Sequence, residues 1–135
     1  MKFKCVVLFL IILSSCQNIS RNCKDYKTGF FKFSFTMGGE EKTAKFIRTK
    51  NLNIDLFDGK IDSASIRWIN DCEFIQKKIN PENRAEERAV HFKIIATTKD
   101  SYTFTYQDAS PDTNKKKRVE KGTAYRIPEF KVLQL

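Results

Sequence analysis

The feature that most limits the fold of this chain is a period-two alternation of apolar and polar side chains, which recurs from residue 28 to residue 127. In the segment 28–37, Phe31, Phe33, Phe35 and Met37 fall on one face and polar side chains fall on the other. Such alternation predicts β-strands with one buried face, because successive side chains of a strand point to opposite sides. No long helical stripe competes with this pattern.

The same period predicts about eight short strands with hairpin-length connections. The segments are 28–37, 42–49, 51–57, 60–69, 72–79, 90–96, 102–106 and 117–127. Within 51–57, an aliphatic set alternates with a polar set, namely Leu52, Ile54 and Leu56 against Asn53 and Asp55. We expect aliphatic sets of this kind on the core face. Asp58-Gly59 is typical of a two-residue hairpin turn.

We therefore predict a mainly β domain, an antiparallel meander over residues 23–127. A twisted sheet of this size tends to curl and close, which removes its exposed edges. We therefore expect a small barrel or a strongly curved half-barrel. A two-sheet sandwich is the alternative. Asn80-Pro81 can start a helix, and the charged residues that follow predict one short surface helix near 81–89. The apolar tail 128–135 could add a strand or pack over an open end.

The first fifteen residues predict a signal peptide. Lys2 and Lys4 precede nine apolar residues, 5–13, and a bilayer-spanning helix needs about 20. The sequence Leu13-Ser14-Ser15-Cys16 follows and resembles the lipobox of a bacterial lipoprotein. That resemblance implies cleavage before Cys16 and a covalent lipid on its thiol, with acyl chains such as palmitate. Residues 16–22 would then be a lipidated tether.

The other cysteines indicate a disulfide. The chain has four cysteines; Cys5 would leave with the signal peptide, and Cys16 would carry lipid. Cys23 and Cys72 remain, and an even pair in an oxidising envelope predicts a bond between them. The alternative is two unpaired thiols. A metal site is not expected, because the sequence has no CxxC motif and only one histidine, His91. We expect His91 on the exposed face.

The chain is basic, which raises the question of an anionic partner. The formal net charge is +9, from 25 Lys and Arg against 16 Asp and Glu. The densest basic run is Lys115-Lys116-Lys117-Arg118, which could contact an anionic surface such as lipid headgroups; the alternative is a solvated loop. Nucleic acid is not an expected partner, because the aromatic residues alternate with the basic ones and therefore face the other way.

Catalysis is not expected either, because no set of catalytic residues can be assembled. The pairs Glu40-Glu41 and Glu86-Glu87 are adjacent in sequence, which does not make them converge across a cleft, and no GxSxG motif is present. The aromatic face could instead line an apolar ligand cavity. Its candidate residues are Phe31, Phe33, Phe35, Trp68 and Phe92; the alternative is a core that they fill completely.

Three stretches together resemble a group of small lipoproteins from Bacteroidetes-type, flavobacterial bacteria: 23–30 (CKDYKTGF), 65–74 (SIRWINDCEF) and 99–104 (KDSYTF). The resemblance covers most of the predicted domain and implies no established activity. Such chains are sometimes labelled DNA topoisomerase IV, which the residues do not support, because an ATPase module and a DNA-gripping domain do not fit in this length.

These observations predict a lipid-anchored envelope protein, with the outer membrane favoured because Gln rather than Asp follows Cys16. The expected role is a non-enzymatic module that binds an apolar ligand or an envelope protein partner. The alternative is a structural protein with a filled core and no ligand. No cofactor is expected beyond the lipid on Cys16.

Overall fold

The computed structural model describes residues 21–111, 114 and 116–132. Predictions for the signal peptide, Cys16, Lys115 and residues 133–135 lie outside these residues. The described part begins with a short 3-10 helix, Cys23–Tyr26, and continues as eight strands. They are β1 (Gly29–Met37), β2 (Glu40–Arg48), β3 (Leu52–Phe57), β4 (Lys60–Trp68), β5 (Glu73–Lys78), β6 (Val90–Thr97), β7 (Ser101–Asp108) and β8 (Glu120–Arg126).

The strands form one closed antiparallel barrel in which each strand pairs with its neighbours in sequence and β8 closes on β1. The predicted meander is therefore confirmed as a barrel. Asp58-Gly59 makes the β3–β4 turn with both residues at positive φ, 49° and 71°. This is the left-handed conformation that a two-residue hairpin turn needs.

The barrel has two unlike ends, which we name the closed end and the open end. The closed end holds the 3-10 helix and the loops β2–β3, β4–β5 and β6–β7. Cys23 in this helix is bonded to Cys72 in the β4–β5 loop, so the predicted disulfide is confirmed. The open end holds the β1–β2 and β3–β4 turns, the loop 79–89, and the described residues of the β7–β8 connection, 109–111, 114 and 116–119.

The closed half of the interior contains the main hydrophobic core. Its core consists of Cys23, Tyr26, Phe31, Phe46, Ile94, Tyr102, Phe104 and Ala124. The Phe31 ring stacks on Phe46 at 5.1 Å and meets Tyr102 edge-on at 5.6 Å. The Tyr26 hydroxyl donates to the Thr98 carbonyl at 2.8 Å, so the helix closes the barrel with its polar atom satisfied.

The predicted helix over 81–89 is wrong. Residues 82–88 form turns and bends, and the backbone bonds that exist start at Asn83, whose carbonyl accepts from Glu86 and Glu87. The Asn83 side chain also accepts from the backbone N–H of Ala85 and Glu86. One capped turn forms and no more, because helix nucleation is costly and this segment has almost no buried face to repay it.

The expected orientation of β3 is also wrong. Asn53 is buried and Asp55 faces the interior, while Leu52, Ile54 and Leu56 lie on the outer face, where Leu52 is exposed. The register explains this orientation, since Asn53 pairs with Arg48 and Ala64, both buried residues of the inward face. A polar cluster inside the barrel has outweighed the aliphatic alternation.

The described part of the C-terminal tail, 128–132, adds no strand and does not cover the open end. Phe130 packs edge-on against Phe30 at 5.5 Å, on the outer surface of β1, and Lys45 Nζ lies 5.7 Å from the centroid of its ring. Before the tail, the backbone N–H of Ile127 donates to the Phe30 carbonyl. The tail therefore lies along the outside of the barrel.

Candidate functional site

A cavity of about 290 Å³ lies inside the barrel next to the hydrophobic core, and the core residues Phe46, Tyr102 and Phe104 are among its walls. Its walls combine aromatic rings with a few polar side chains, the composition typical of a small-molecule site. The lining residues are Phe33, Phe46, Arg48, Asn53, Asp55, Gln76, Phe92, Tyr102, Phe104 and Tyr106. An eight-stranded barrel can hold one small ligand when large side chains do not fill its interior.

A second space of about 390 Å³ continues the cavity to the surface. The two spaces share Phe33, Asp55 and Gln76. The outer one reaches the loop 79–89 and also touches Phe35 and Phe57, whose rings lie 5.2 Å apart. The interior is therefore a cup whose mouth is at the open end.

Charged side chains of both signs surround the mouth. Lys78 Nζ lies 2.8 Å from Glu86 Oε2 and 3.4 Å from Asp62 Oδ1. Hydrogen bonds to Glu86 and Asp62 raise the pKa of Lys78, and bonds from Glu82 N–H and Lys78 lower the pKa of Glu86. This ion pair ties the loop 79–89 to β5 at the rim.

Arg48 lies at the floor of the cup with only 4% of its surface exposed. Its Nε donates to Asn53 Oδ1 at 3.4 Å and its Nη1 to the Tyr26 carbonyl at 3.3 Å. Four aromatic rings surround the guanidinium at 4.7–5.7 Å: Phe31, Phe46, Phe74 and Tyr102. Such rings stabilise a cation through their negative faces.

Asn53 connects Arg48 to the one acid of the cavity. Its Nδ2 donates to Asp55 Oδ2 at 2.9 Å. Burial raises the pKa of Asp55, while the Asn53 hydrogen bond and the Arg48 charge oppose that shift and the Asp62 charge adds to it. Within the described residues, no carboxylate lies within 4 Å of the Arg48 guanidinium, so Asp55 is linked to it only through Asn53.

The opposite wall is aromatic. Phe92 stacks on Phe74 at 5.0 Å with an interplanar angle of 2°, and on Tyr106 at 5.6 Å with an angle of 22°. Burial raises the pKa of Tyr106. Phe92 and Tyr106 line the cavity and give it an apolar side beside the polar side of Arg48, Asn53 and Asp55, which suits a ligand with one polar and one apolar part.

The five predicted cavity residues separate into four groups. Phe33 and Phe92 line the cavity, and Phe35 lines the mouth. Phe31 lies beneath the cavity in the packed core. Trp68 does not line either space; its ring contacts Phe74 at 4.7 Å and Lys27 Nζ at 4.9 Å. Its Nε1 is buried, with no hydrogen-bond partner in the described part of the chain.

Sequence reasoning missed the polar members of the site: Arg48, Asn53, Asp55 and Gln76. One signal for Arg48 was present, because it stands two residues after Phe46 and four after Ala44, on the inward face of β2. Gln76 follows in the same way from Phe74 on β5. The orientation of Asn53 and Asp55 gave no comparable signal, since their aliphatic neighbours favoured the reverse.

The remaining predicted sites lie on the outside. His91 is on the face opposite Phe92, as expected, but it is only partly exposed, and its Nε2 lies 3.1 Å from Glu73 Oε2. In the basic run, Arg118 pairs with Glu120, and Lys116 is exposed in the loop at the open end. Contact of this run with an anionic surface stays a prediction.

No group of three His, Cys, Asp or Glu side chains could hold a metal ion in residues 21–111, 114 and 116–132. No helix among those residues has the length and the apolar character required to cross a bilayer.

The chain matches no protein-family model, no curated protein and no solved structure.

Proposed function

We propose that this chain is a lipid-anchored envelope protein whose barrel binds one small, largely apolar ligand. The observation that supports binding is the cup itself. The barrel is packed and disulfide-bonded at one end, and it holds a cavity of about 290 Å³ that opens at the other. A protein stabilised only by its core would gain from filling such a space, because cavities cost stability.

The proposed anchor suits the direction of the cup. The described chain enters at the closed end, where Asn22 N–H donates to Thr97 Oγ1 and Arg21 Nη1 donates to the Ile94 carbonyl. Cys16 precedes these residues by only a short tether. A lipid on Cys16 would hold the closed end near the membrane, with the mouth about 20 Å away, the length of a tilted strand.

Binding is favoured over a purely structural role because part of the interior is unfilled. The structural alternative predicts aromatic packing throughout, as in the closed half. Gln76 also faces the unfilled part, and its amide makes no hydrogen bond to any residue that the structure describes. Catalysis is not part of the proposal, because no nucleophile contacts a base among the described residues of the cavity.

The anchor is tested by fractionation. Cys16→Ala should move the protein out of the membrane fraction, while Cys5→Ala, in the signal segment, should leave it there. Retention of the Cys16→Ala protein in washed membranes would contradict the anchor.

The cup is tested with a neutral ring compound, 2-naphthamide, and the lipid-anchored protein in phosphatidylcholine nanodiscs, with empty nanodiscs as blank. Calorimetry should find one saturable site. Ala44→Phe places a ring in the mouth, which Ala44 lines, and should weaken binding by about tenfold or more. Thr43→Phe, the neighbouring outward position, should have no effect. Equal binding by both variants would contradict the cup as the site.

A further inference from the structure

We propose that the cup selects a ligand with an anionic head group, such as a carboxylate, which pairs with Arg48 while an apolar body lies against the aromatic wall. This inference rests on the proposed function and names the chemical class of its ligand. It depends on the burial of Arg48, its unused donors and its position at the floor of the cavity.

Arg48 is a buried cation without a direct counter-ion. A charge removed from water is costly unless it is paired, and Arg48 is 4% exposed with no carboxylate within 4 Å in the described part of the chain. The surrounding rings offset part of this cost, but none of them supplies the negative charge that a buried guanidinium pairs with. An anion entering the cavity would supply the missing partner.

The donors of Arg48 are only partly used. A guanidinium carries five N–H donors in a planar fork, and the hydrogen bonds of Arg48 to Asn53 and Tyr26 use Nε and Nη1. The Tyr102 side chain is a third hydrogen-bond partner of Arg48, and three partners do not use all five donors. Arg48 lines the cavity, and charge-assisted bonds from an arginine fork to a carboxylate are among the strong ones in proteins.

The carboxylate of Asp55 suggests the opposite alternative, a ligand with a cationic head group that pairs with it. Two observations favour the anion. Arginine stays protonated in proteins, whereas burial raises the pKa of Asp55 and so eases its neutralisation. The Asp55 carboxylate also already accepts a bond from Asn53. A protonated Asp55 could in addition donate to the bound anion.

The cavity sets the size of the apolar body. Its volume of about 290 Å³ is roughly twice the ~150 Å³ cavity that holds one benzene ring. A body of one or two fused rings, or a short acyl chain of equal volume, therefore fits between the aromatic wall and the polar side. A long-chain lipid does not fit in the inner space.

The test compares three ligands that share one body and differ only in the head group: 2-naphthoate, 2-naphthamide and 2-naphthylmethylammonium. Binding is measured by calorimetry at neutral pH with the lipid-anchored protein in nanodiscs. Wild type should bind the naphthoate about tenfold or more tighter than the amide, the range for a charge-assisted hydrogen bond. The ammonium compound should bind weakest.

Three variants locate the selectivity. Arg48→Met keeps an unbranched apolar side chain without the guanidinium and should abolish the preference for naphthoate over naphthamide; circular dichroism checks that it folds. Arg67→Met removes an exposed arginine and should leave the preference unchanged. Asp55→Asn removes a neighbouring negative charge and should tighten naphthoate binding severalfold, which keeps the test informative if Arg48→Met fails to fold.

The outcomes separate the two proposals. Equal affinity for naphthoate and naphthamide, or preference for the ammonium compound, would overturn the anionic ligand and leave the binding cup intact. Failure of all three compounds to bind would contradict the proposed function itself.

Discussion

The two halves of the barrel are built from the same strands but differ in what their inward side chains do. In the closed half, the inward positions are rings and aliphatic groups packed against a helix that the Cys23–Cys72 bond holds in place. In the open half, the same strands present Asp55 and Gln76 beside Phe33 and Phe92, around unfilled space. Stability is therefore concentrated at one end, and this frees the other end to carry polar groups that a filled core would exclude.

Arg48 lies at the boundary between the halves. Toward the closed end it donates to the Tyr26 carbonyl, and toward the open end it donates to Asn53, which continues to Asp55. The residue that makes the floor of the cup is thus also a contact of the closing helix. We infer that the geometry of the site depends on the closed end being intact.

The largest expected effect comes from emptying a core position in the closed half. Phe31 is fully buried, so Phe31→Ala should lower the free energy of unfolding by about 4–5 kcal/mol, the upper part of the range for buried phenylalanine. Phe35→Ala, on the same face of β1 but at the mouth, should cost about 1 kcal/mol or less. Urea unfolding measures both, and similar losses would contradict the division into halves.

Removal of the disulfide should have the next largest effect. The bond closes a loop with a sequence separation of 49, so the Cys23→Ala, Cys72→Ala double variant should be less stable by about 4 kcal/mol in the chain-entropy model. Because the bond holds the helix whose Tyr26 carbonyl accepts from Arg48, the variant should also bind 2-naphthoate more weakly. Unchanged binding by the folded variant would contradict the dependence of the binding site on the closed end.

Asp55→Asn should act in the other direction and more weakly. Burial raises the pKa of Asp55 above its ordinary value of 3.8, so the folded state binds more protons than the unfolded one between these two pKa values. Wild-type stability attributable to this group therefore falls as pH rises through that window. The variant should be more stable than wild type at pH 7.

The measurement for Asp55 is the difference in unfolding free energy between the two proteins as a function of pH. That difference should shrink as the pH falls toward 3.8 and become independent of pH well below it. Asp71, Glu73 and Glu86, whose pKa values are lowered, contribute equally to both proteins and cancel. A difference independent of pH would contradict the charge as its cause.

The smallest effect is expected at the rim. Lys78→Met removes the ion pairs with Glu86 and Asp62, and partly exposed pairs of this kind contribute about 1 kcal/mol or less. Stability should change little, whereas hydrogen exchange of the backbone amides of Glu86 and Glu87 should become faster as the loop 79–89 loses its tie to β5. Unchanged exchange would show that the Asn83 turn holds the loop alone.

The sequence predicted the barrel well because alternation and turn chemistry agree along most of the chain. Phe31, Phe92 and Tyr102 follow their period inward, and Asp58-Gly59 can adopt the turn that β3 and β4 need. The disulfide was predicted because only Cys23 and Cys72 remain after Cys5 and Cys16 are assigned to the signal peptide and the lipid. The helix near 81–89 failed because capping residues mark where a helix can start, not whether its length repays nucleation.

The polar side of the site could not be predicted from local pattern alone. Asn53 and Asp55 face inward, where Arg48 from the neighbouring strand donates to Asn53 and Asn53 donates to Asp55. That pairing depends on the register of β2 against β3, which links Arg48 to Asn53. A one-residue shift of register would turn these side chains outward, so only the three-dimensional pairing reveals the site.

The most direct test of the cup is an NMR titration of the isotope-labelled, lipid-anchored protein in nanodiscs with 2-naphthoate. We predict saturable shift changes at Phe33, Gln76, Phe92 and Tyr106 and at the Arg48 guanidinium, with the same Kd as calorimetry, and little change at Tyr26 or on the outer face around Phe130. Shifts confined to the outer face or the closed end, with none at the cavity residues, would contradict the central claim that the open half of this barrel is a binding site.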